Sequence, residues 1–469
     1  MGDHMHHAVR AATRIAVLVA LAAIIAPAGA AVPNPTVTGP IPVNAPPGDP
    51  SHDYPQLATQ VDIASQGYVE EEYFFQGTAT LYSTPPLATG GVVSSGHPYK
   101  TRMIVRRPTS AERFNGIVIV EWVNVTSGYN LDAMWQASFD LLMREGYAYV
   151  GVSAQRVGVQ QQPSGLTAWS PTRYGTLDVT AGNTVPSDTL SYDIFSQAAQ
   201  AIRHPVGVNP LGGLPVRLII AAGVSQSQGR LVAYHNSIHP LAGVYDGFYL
   251  VLGLGGRLRT DLAVKVFKVN TENDVLLLGE AAARQPDSDR LRTWEIAGTS
   301  HVSFQSAVFR RELLIRDGLP QADTTVCSLP ALSHIPTRYV LNAVYGHLAR
   351  WIVDGSAPPI APRIELNSVS PAVAARDTFG NALGGIRLAQ HAVPTATNTG
   401  VNTGPGFCFL FGSHVPFDAA TLAALYRNHG QYVSAVDQTT NKNLAAGYIL
   451  GPEAEATVEE AARSDIGKE

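Results

Sequence analysis

Leu218-Ile-Ile-Ala-Ala-Gly-Val-Ser-Gln-Ser-Gln-Gly-Arg230 is the stretch on which the reading of this chain turns. Its apolar first half, at Val216 to Ala222, is too short for a core helix and reads as a strand buried on both faces. The polar run from Ser227 to Ser237 reads as a helix. Between them, Gly223-Val224-Ser225-Gln226-Ser227 must turn the chain sharply, and a turn this tight tolerates only small residues two places before and after its apex. Gly223 and Ser227 both qualify, although Ser227 stands where a second glycine is usual. Ser225 then sits at the helix N-terminus, where developing negative charge is favoured, and the Gln226 amide can face an oxyanion. The same residues would also describe a serine N-cap at an ordinary strand-helix junction. The partners downstream decide between the two readings.

Val264 to Asn270 reads as a strand, and it ends in Thr271-Glu272-Asn273-Asp274, which sets two carboxylates just past its C-terminal end. A further short strand, Trp294 to Ala297, is followed by Gly298-Thr299-Ser300-His301. The order along the chain is thus serine, acid, histidine, an order used by one class of Ser-His-acid triads. Each member lies beyond a strand's carboxyl end, where open parallel sheets form their sites. The acid is Asp274, with Glu272 as the alternative: Asp274 sits further into the loop that faces the histidine, and its shorter side chain suits a fixed hydrogen bond to the imidazole. A second oxyanion donor should come from the loop after Gly116 to Val123, at Asn124 or a neighbouring backbone amide.

Farther out, Glu72 to Tyr82, Tyr99 to Val105, Gly116 to Val123, Tyr147 to Ser153 and Tyr245 to Leu252 read as strands, and Asp132 to Glu145 and Asp193 to Arg203 as helices. Strands alternating with helices predict an α/β fold, a mostly parallel central sheet with helices on both faces. Residues 155–190, rich in Gly, Pro, Gln and Thr, read as a lid-like insertion or pocket wall, with Trp169 and Tyr174, and Phe195 beyond it, as aromatic candidates for the pocket lining. Residues 31–58 read as an extended lead-in. The main domain then runs over 59–469, and its C-terminal extension, about 305–469, contains helices at Arg338 to Val353, Ala419 to Tyr426 and 452–463, packed onto the sheet.

The 469 residues are 45% hydrophobic and 15% charged, enough apolar material for a large core. A net charge of -5 without a long Lys/Arg run argues against nucleic acid as a partner. No internal run approaches the ~20 apolar residues of a membrane span. Residues 1–30 read as a signal peptide: Arg10 and Arg14, then the apolar Ile15 to Ala26, then Ala28-Gly29-Ala30. Export, to periplasm or medium, suits a disulfide between the only two cysteines, Cys327 and Cys408. Without CxxC, HExxH or a tight His/Cys cluster, no metal and no cofactor are expected.

Taken together, several segments resemble a family of bacterial α/β-hydrolase-domain proteins, many of them exported. These are Val120-Glu-Trp-Val-Asn-Val125, Tyr149 to Gln155, Tyr192 to Gln197, Gly223 to Ser227, Thr271 to Asp274, Arg284 to Arg290, Trp294 to Gly298 with His301, and Gly380 to Arg387. The resemblance spans about residues 50–435. In one place the sequence departs from the family pattern: Gln228 intervenes before Gly229, at the point where the helix must start. The resemblance implies a carboxylic-ester hydrolase. The expected activity is therefore that of an exported serine esterase acting on a small-molecule or polymeric ester through an acyl-enzyme. A polyester depolymerase (of the polyhydroxyalkanoate type) or an acyltransferase would use the same triad. A binding protein on a hydrolase scaffold is the rival of another class.

Overall fold

The computed structural model describes residues 32–468; the expected signal peptide, residues 1–30, lies outside the described residues. Ten strands form one sheet: β1 Thr36–Thr38, β2 Tyr68–Tyr82, β3 Val92–Pro108, β4 Ile117–Trp122, β5 Ala148–Val152, β6 Val206–Gly207, β7 Leu218–Val224, β8 Gly247–Val251, β9 Lys265–Thr271 and β10 Leu291–Ile296. Their order is β10-β9-β8-β7-β4-β5-β3-β2-β1-β6. From β10 through β5 all neighbours run parallel, while β5 to β1 pair antiparallel. The lead-in thus contributes a sheet strand, β1, paired with both β2 and β6.

The continuous apolar runs are explained by burial on two sides. On β4, Val118, Val120 and Trp122 belong to the core on one face, and Ile117 and Ile119 to the core on the other. On β7, Ile219 and Ala221 face the first core, Ile220, Ala222 and Val224 the second. Alternate side chains point to opposite faces, so a strand covered by helices on both sides must be apolar throughout. The helices Ser191–Arg203 and Gln226–Ala233 contribute to the first core; Ala133–Arg144 and Thr337–Asp354 contribute to the second. Among the described residues no helix is long and apolar enough to cross a membrane.

Strand register brings the functional loops to one edge. Glu121 pairs with Ala222, Val224 with Val251, Val251 with Val269, and Thr271 with Ile296. The chain therefore leaves β4, β7, β9 and β10 at the same edge of the sheet.

Residues 155–190 depart from expectation. They form short helices, including Leu166–Trp169 and Pro171–Tyr174, that fold into the first core. Trp169 donates its indole N–H to the Asp317 carbonyl and stacks on His52, and the Tyr174 hydroxyl donates to buried Glu72. Phe195 packs among Trp122, Tyr234 and Tyr245. These three aromatics are core residues: the bundle of rings and ion pairs beneath β2 uses them up, and none reaches the cavity described below.

Candidate active site

The turn after β7 carries Ser225 at φ 60° and ψ -122°, a conformation non-glycine residues rarely adopt. Two fixed points impose it. The Ser225 N–H donates to Val251 O at the end of β8 (3.0 Å), and its carbonyl accepts the Gly229 N–H of the helix that starts at Gln226 (3.2 Å). Close approach dictates the small residues: a Cβ on Gly223 would lie 2.9 Å from Leu231 Cδ1 and 3.1 Å from the Ser227 backbone. Gln228 leaves the helix start at Gln226 undisturbed; its side chain is buried, with Oε1 accepting the Leu254 N–H.

After β9, Thr271 caps the Glu272–Leu277 helix through a reciprocal pair: its hydroxyl accepts the Asp274 N–H, and Asp274 Oδ2 accepts the Thr271 N–H at 2.6 Å. That cap fixes the Asp274 carboxylate and leaves Oδ1 for His301, whose Nδ1 lies 2.6 Å away. Asp274 is fully buried and His301 nearly so. Glu272 points elsewhere. Its oxygens take the N–H groups of Gly298 (2.8 Å) and Gly400 (3.1 Å) and pair with Arg376 (2.7 Å). The two carboxylates thus divide the work, one on the imidazole and one on the turn that precedes it.

Ser225 and His301 line the same cavity, of about 930 Å³, without hydrogen-bonding to each other. Asn124 lines it too, but its N–H is spent on Leu131 O (3.0 Å) and its side-chain amide on Val224 O (3.0 Å). As a backbone donor Asn124 is therefore excluded by the bridge that closes its own loop, and it braces the strand leading to Ser225. Among the described residues, neither the Gln226 N–H nor that of Val125 has a protein acceptor.

Below this edge, the buried Glu121 carboxylate accepts the Met134 N–H (3.1 Å) and the Tyr149 hydroxyl (2.6 Å). Burial pushes its carboxyl up to about 8.

The cavity is covered by two segments from far along the chain. One is the helix Phe304–Arg316 with the loop running to Leu332, and the other is residues 405–411. A disulfide between Cys327 and Cys408 joins them, with Cα atoms 5.4 Å apart. This cover was not readable from the sequence. The cavity-lining residues of the helix mix Ser306, Ala307, Arg310 and Arg311 with Phe304, Val308 and Leu314, so no clean apolar stripe of the kind that marks a helix stands out.

A family model described as an alpha/beta hydrolase domain matches residues 37–459. No curated protein matches the sequence. Similar solved structures include a serine hydrolase without a lid from Xanthomonas campestris, at 14% identity and a TM-score of 0.29, covering 53% of this chain and 97% of that one. Another is an esterase from an Arctic intertidal metagenomic library, at 10% identity and a TM-score of 0.29, covering 54% and 95%. A putative acetyl xylan esterase from Bacteroides fragilis matches at 13% identity and a TM-score of 0.24, covering 54% and 64%.

Proposed function

Since the chain belongs to the alpha/beta hydrolase domain family, we propose that it is an exported serine hydrolase that cleaves carboxylic esters through an acyl-enzyme. The observation that carries this reading is the 2.6 Å contact between Asp274 and His301, with His301 opening onto the same cavity as the conformationally strained Ser225. Held at Nδ1 by Asp274, the imidazole presents Nε2 as the general base. Ser225 Oγ attacks the ester carbonyl as His301 takes its proton. The carbonyl oxygen, now negative, is met by the Gln226 N–H at the helix N-terminus and by the Val125 N–H. His301 then protonates the leaving alkoxide, and water repeats the sequence on the acyl-enzyme. Export rests on a disulfide of the kind that persists in oxidising compartments.

The test is a panel of p-nitrophenyl esters from acetate to palmitate, run beside a polyester film and a fluorophosphonate probe. Turnover of soluble esters, with the probe found on the Ser225 peptide, is the expected result. Labelling without turnover of any ester would count against ester hydrolysis, and erosion of the film alone would favour the depolymerase.

A further inference from the structure

Along the Phe304–Arg316 helix, Ser306, Ala307, Arg310, Arg311 and Leu314 line the cavity, the three- and four-residue spacing of one helix face. Arg310 is half-buried, and among the described residues it has neither a carboxylate nor a hydrogen-bond acceptor. Other buried arginines of the protein are paired. Arg102 and Arg173 share Glu72, and Arg106 meets Glu70 and Asp132. Near Arg310 stands the buried Tyr129, also on the cavity wall, and burial draws the guanidinium below its usual range while leaving it charged. The remaining charges on the wall, besides His301, are Arg311, Arg338 and Asp323. Asp323 is exposed and occupied by the Thr325 N–H and hydroxyl, and Arg338 lies 3.8 Å from Asp140. The guanidinium is partly withdrawn from water and unpaired by the protein, which leaves it free to meet an acceptor that enters the cavity.

We propose that Arg310 selects the substrate: the ester cleaved at Ser225 carries a carboxylate, which docks on the Arg310 guanidinium. This rests on the esterase reading above. Arg310 follows Ser303, the N-cap of the helix, by seven residues, roughly 10 Å along the axis. Helical side chains lean toward the N-terminus, so its head group turns back toward the His301 end. The carboxylate therefore lies only a few carbon atoms from the scissile bond. A planar guanidinium fork takes a carboxylate in two parallel hydrogen bonds. Of the two wall forks unpaired among the described residues, Arg311 is exposed and Arg310 is the one partly withdrawn from water.

The experiment uses esters paired by size and differing in charge. 4-Nitrophenyl hemisuccinate against 4-nitrophenyl pentanoate places the carboxylate on the acyl side. 4-Acetoxybenzoate against 4-acetoxybenzamide places it on the alcohol side. In one of the pairs the wild-type kcat/KM should favour the anionic member by about tenfold or more, the range of a charge-assisted hydrogen bond. Arg310→Gln should bring that ratio near one and Arg310→Glu should invert it. Arg463→Gln, on an exposed pair far along the chain, should leave the ratio alone. A wild-type ratio near one in both pairs, or a ratio that survives in Arg310→Gln, overturns the proposal. Free succinate tests the subsite apart from chemistry, and should raise the melting temperature of the wild type but not of Arg310→Gln. Succinate binding through Arg310 in a protein that hydrolyses no ester and takes no fluorophosphonate would sink the esterase reading and keep the anion subsite.

Discussion

Ser225, Asp274 and His301 stand where the chain leaves β7, β9 and β10, on backbone held by parallel ladder pairs, on both sides of β7 and β9 and on one side of the edge strand β10. The residues above them come from the Phe304–Arg316 helix and from 405–411, two segments that no strand ladder joins. The Cys327–Cys408 bond joins them, with the Val302 N–H to Leu410 O and Ser333 N–H to Phe411 O hydrogen bonds beside it. The floor of the cavity thus inherits its rigidity from the sheet, while the cover obtains its own from a covalent link. The floor is almost wholly buried, whereas the cover exposes Phe304, Val308, Phe407 and Phe409. Positions that must hold reacting atoms to a fraction of an ångström lie on the sheet, and positions that sort substrates lie on the cover.

Breaking the floor should have the largest effect. Ser225→Ala should abolish ester turnover, a loss on the order of 10⁶ in the best-studied hydrolase, while circular dichroism and the melting temperature stay close to wild type. If Ser225→Ala kept its turnover and Ser227→Ala lost it, the floor would be built around the wrong serine.

The two carboxylates after β9 sharpen the same point from within the floor. Asp274→Asn should lower kcat by up to ~10⁴, through the wrong imidazole tautomer. Glu272→Gln should cost far less in kcat and show itself mainly as a lower melting temperature, because it loses charge opposite Arg376. The reverse ranking in two folded, purified variants would hand the orienting role to Glu272.

For the cover, serine at both Cys327 and Cys408 opens a loop of 81 residues, a loss of roughly 4 kcal/mol in the loop-entropy model. The expected readout is local: early protease cleavage between 317 and 332 and a raised KM, with kcat little changed. Cover and floor would form a single cooperative unit if kcat fell in parallel with KM.

The smallest effect concerns Glu121, on which the floor rests. Its carboxyl, raised in the folded protein to about 8, binds a proton that the unfolded chain releases near its ordinary value. The stabilisation is therefore complete below the ordinary carboxylate range and is lost as pH rises through about 8. The melting temperature of the wild type should fall between pH 5 and pH 9, and Glu121→Gln should remove part of that slope. Identical slopes in the two proteins would mean that Glu121 is ionised throughout.

Legibility followed the same division. The strand and the turn at Leu218 to Ser227 could be read because packing on two faces and a steric limit each leave a local mark. The Phe304–Arg316 helix left little, since its apolar residues are spread around it: Phe304 and Val308 line the cavity, Phe309 and Leu313 pack on the core, and Ile315 meets solvent. Trp169, Tyr174 and Phe195 looked like pocket residues because an aromatic side chain carries the same signature in a core as in a site. The Asn124 loop is a similar case. That its N–H turns inward to Leu131 depends on a bridge across the loop, which spacing along the chain does not reveal.

By itself, the sequence determined the α/β architecture, the strained position of Ser225 and the order of serine, acid and histidine, because each follows from periodicity, residue size or chain order. Only the tertiary structure decided that Asp274 and not Glu272 meets the imidazole, that 304–332 and 405–411 roof the cavity, and that Arg310 stands there unpaired. The reason is physical. Which way a side chain points in a capped turn, and which distant segment lies over a strand end, are set by contacts between residues up to a hundred or more positions apart, as between Glu272 and Gly400.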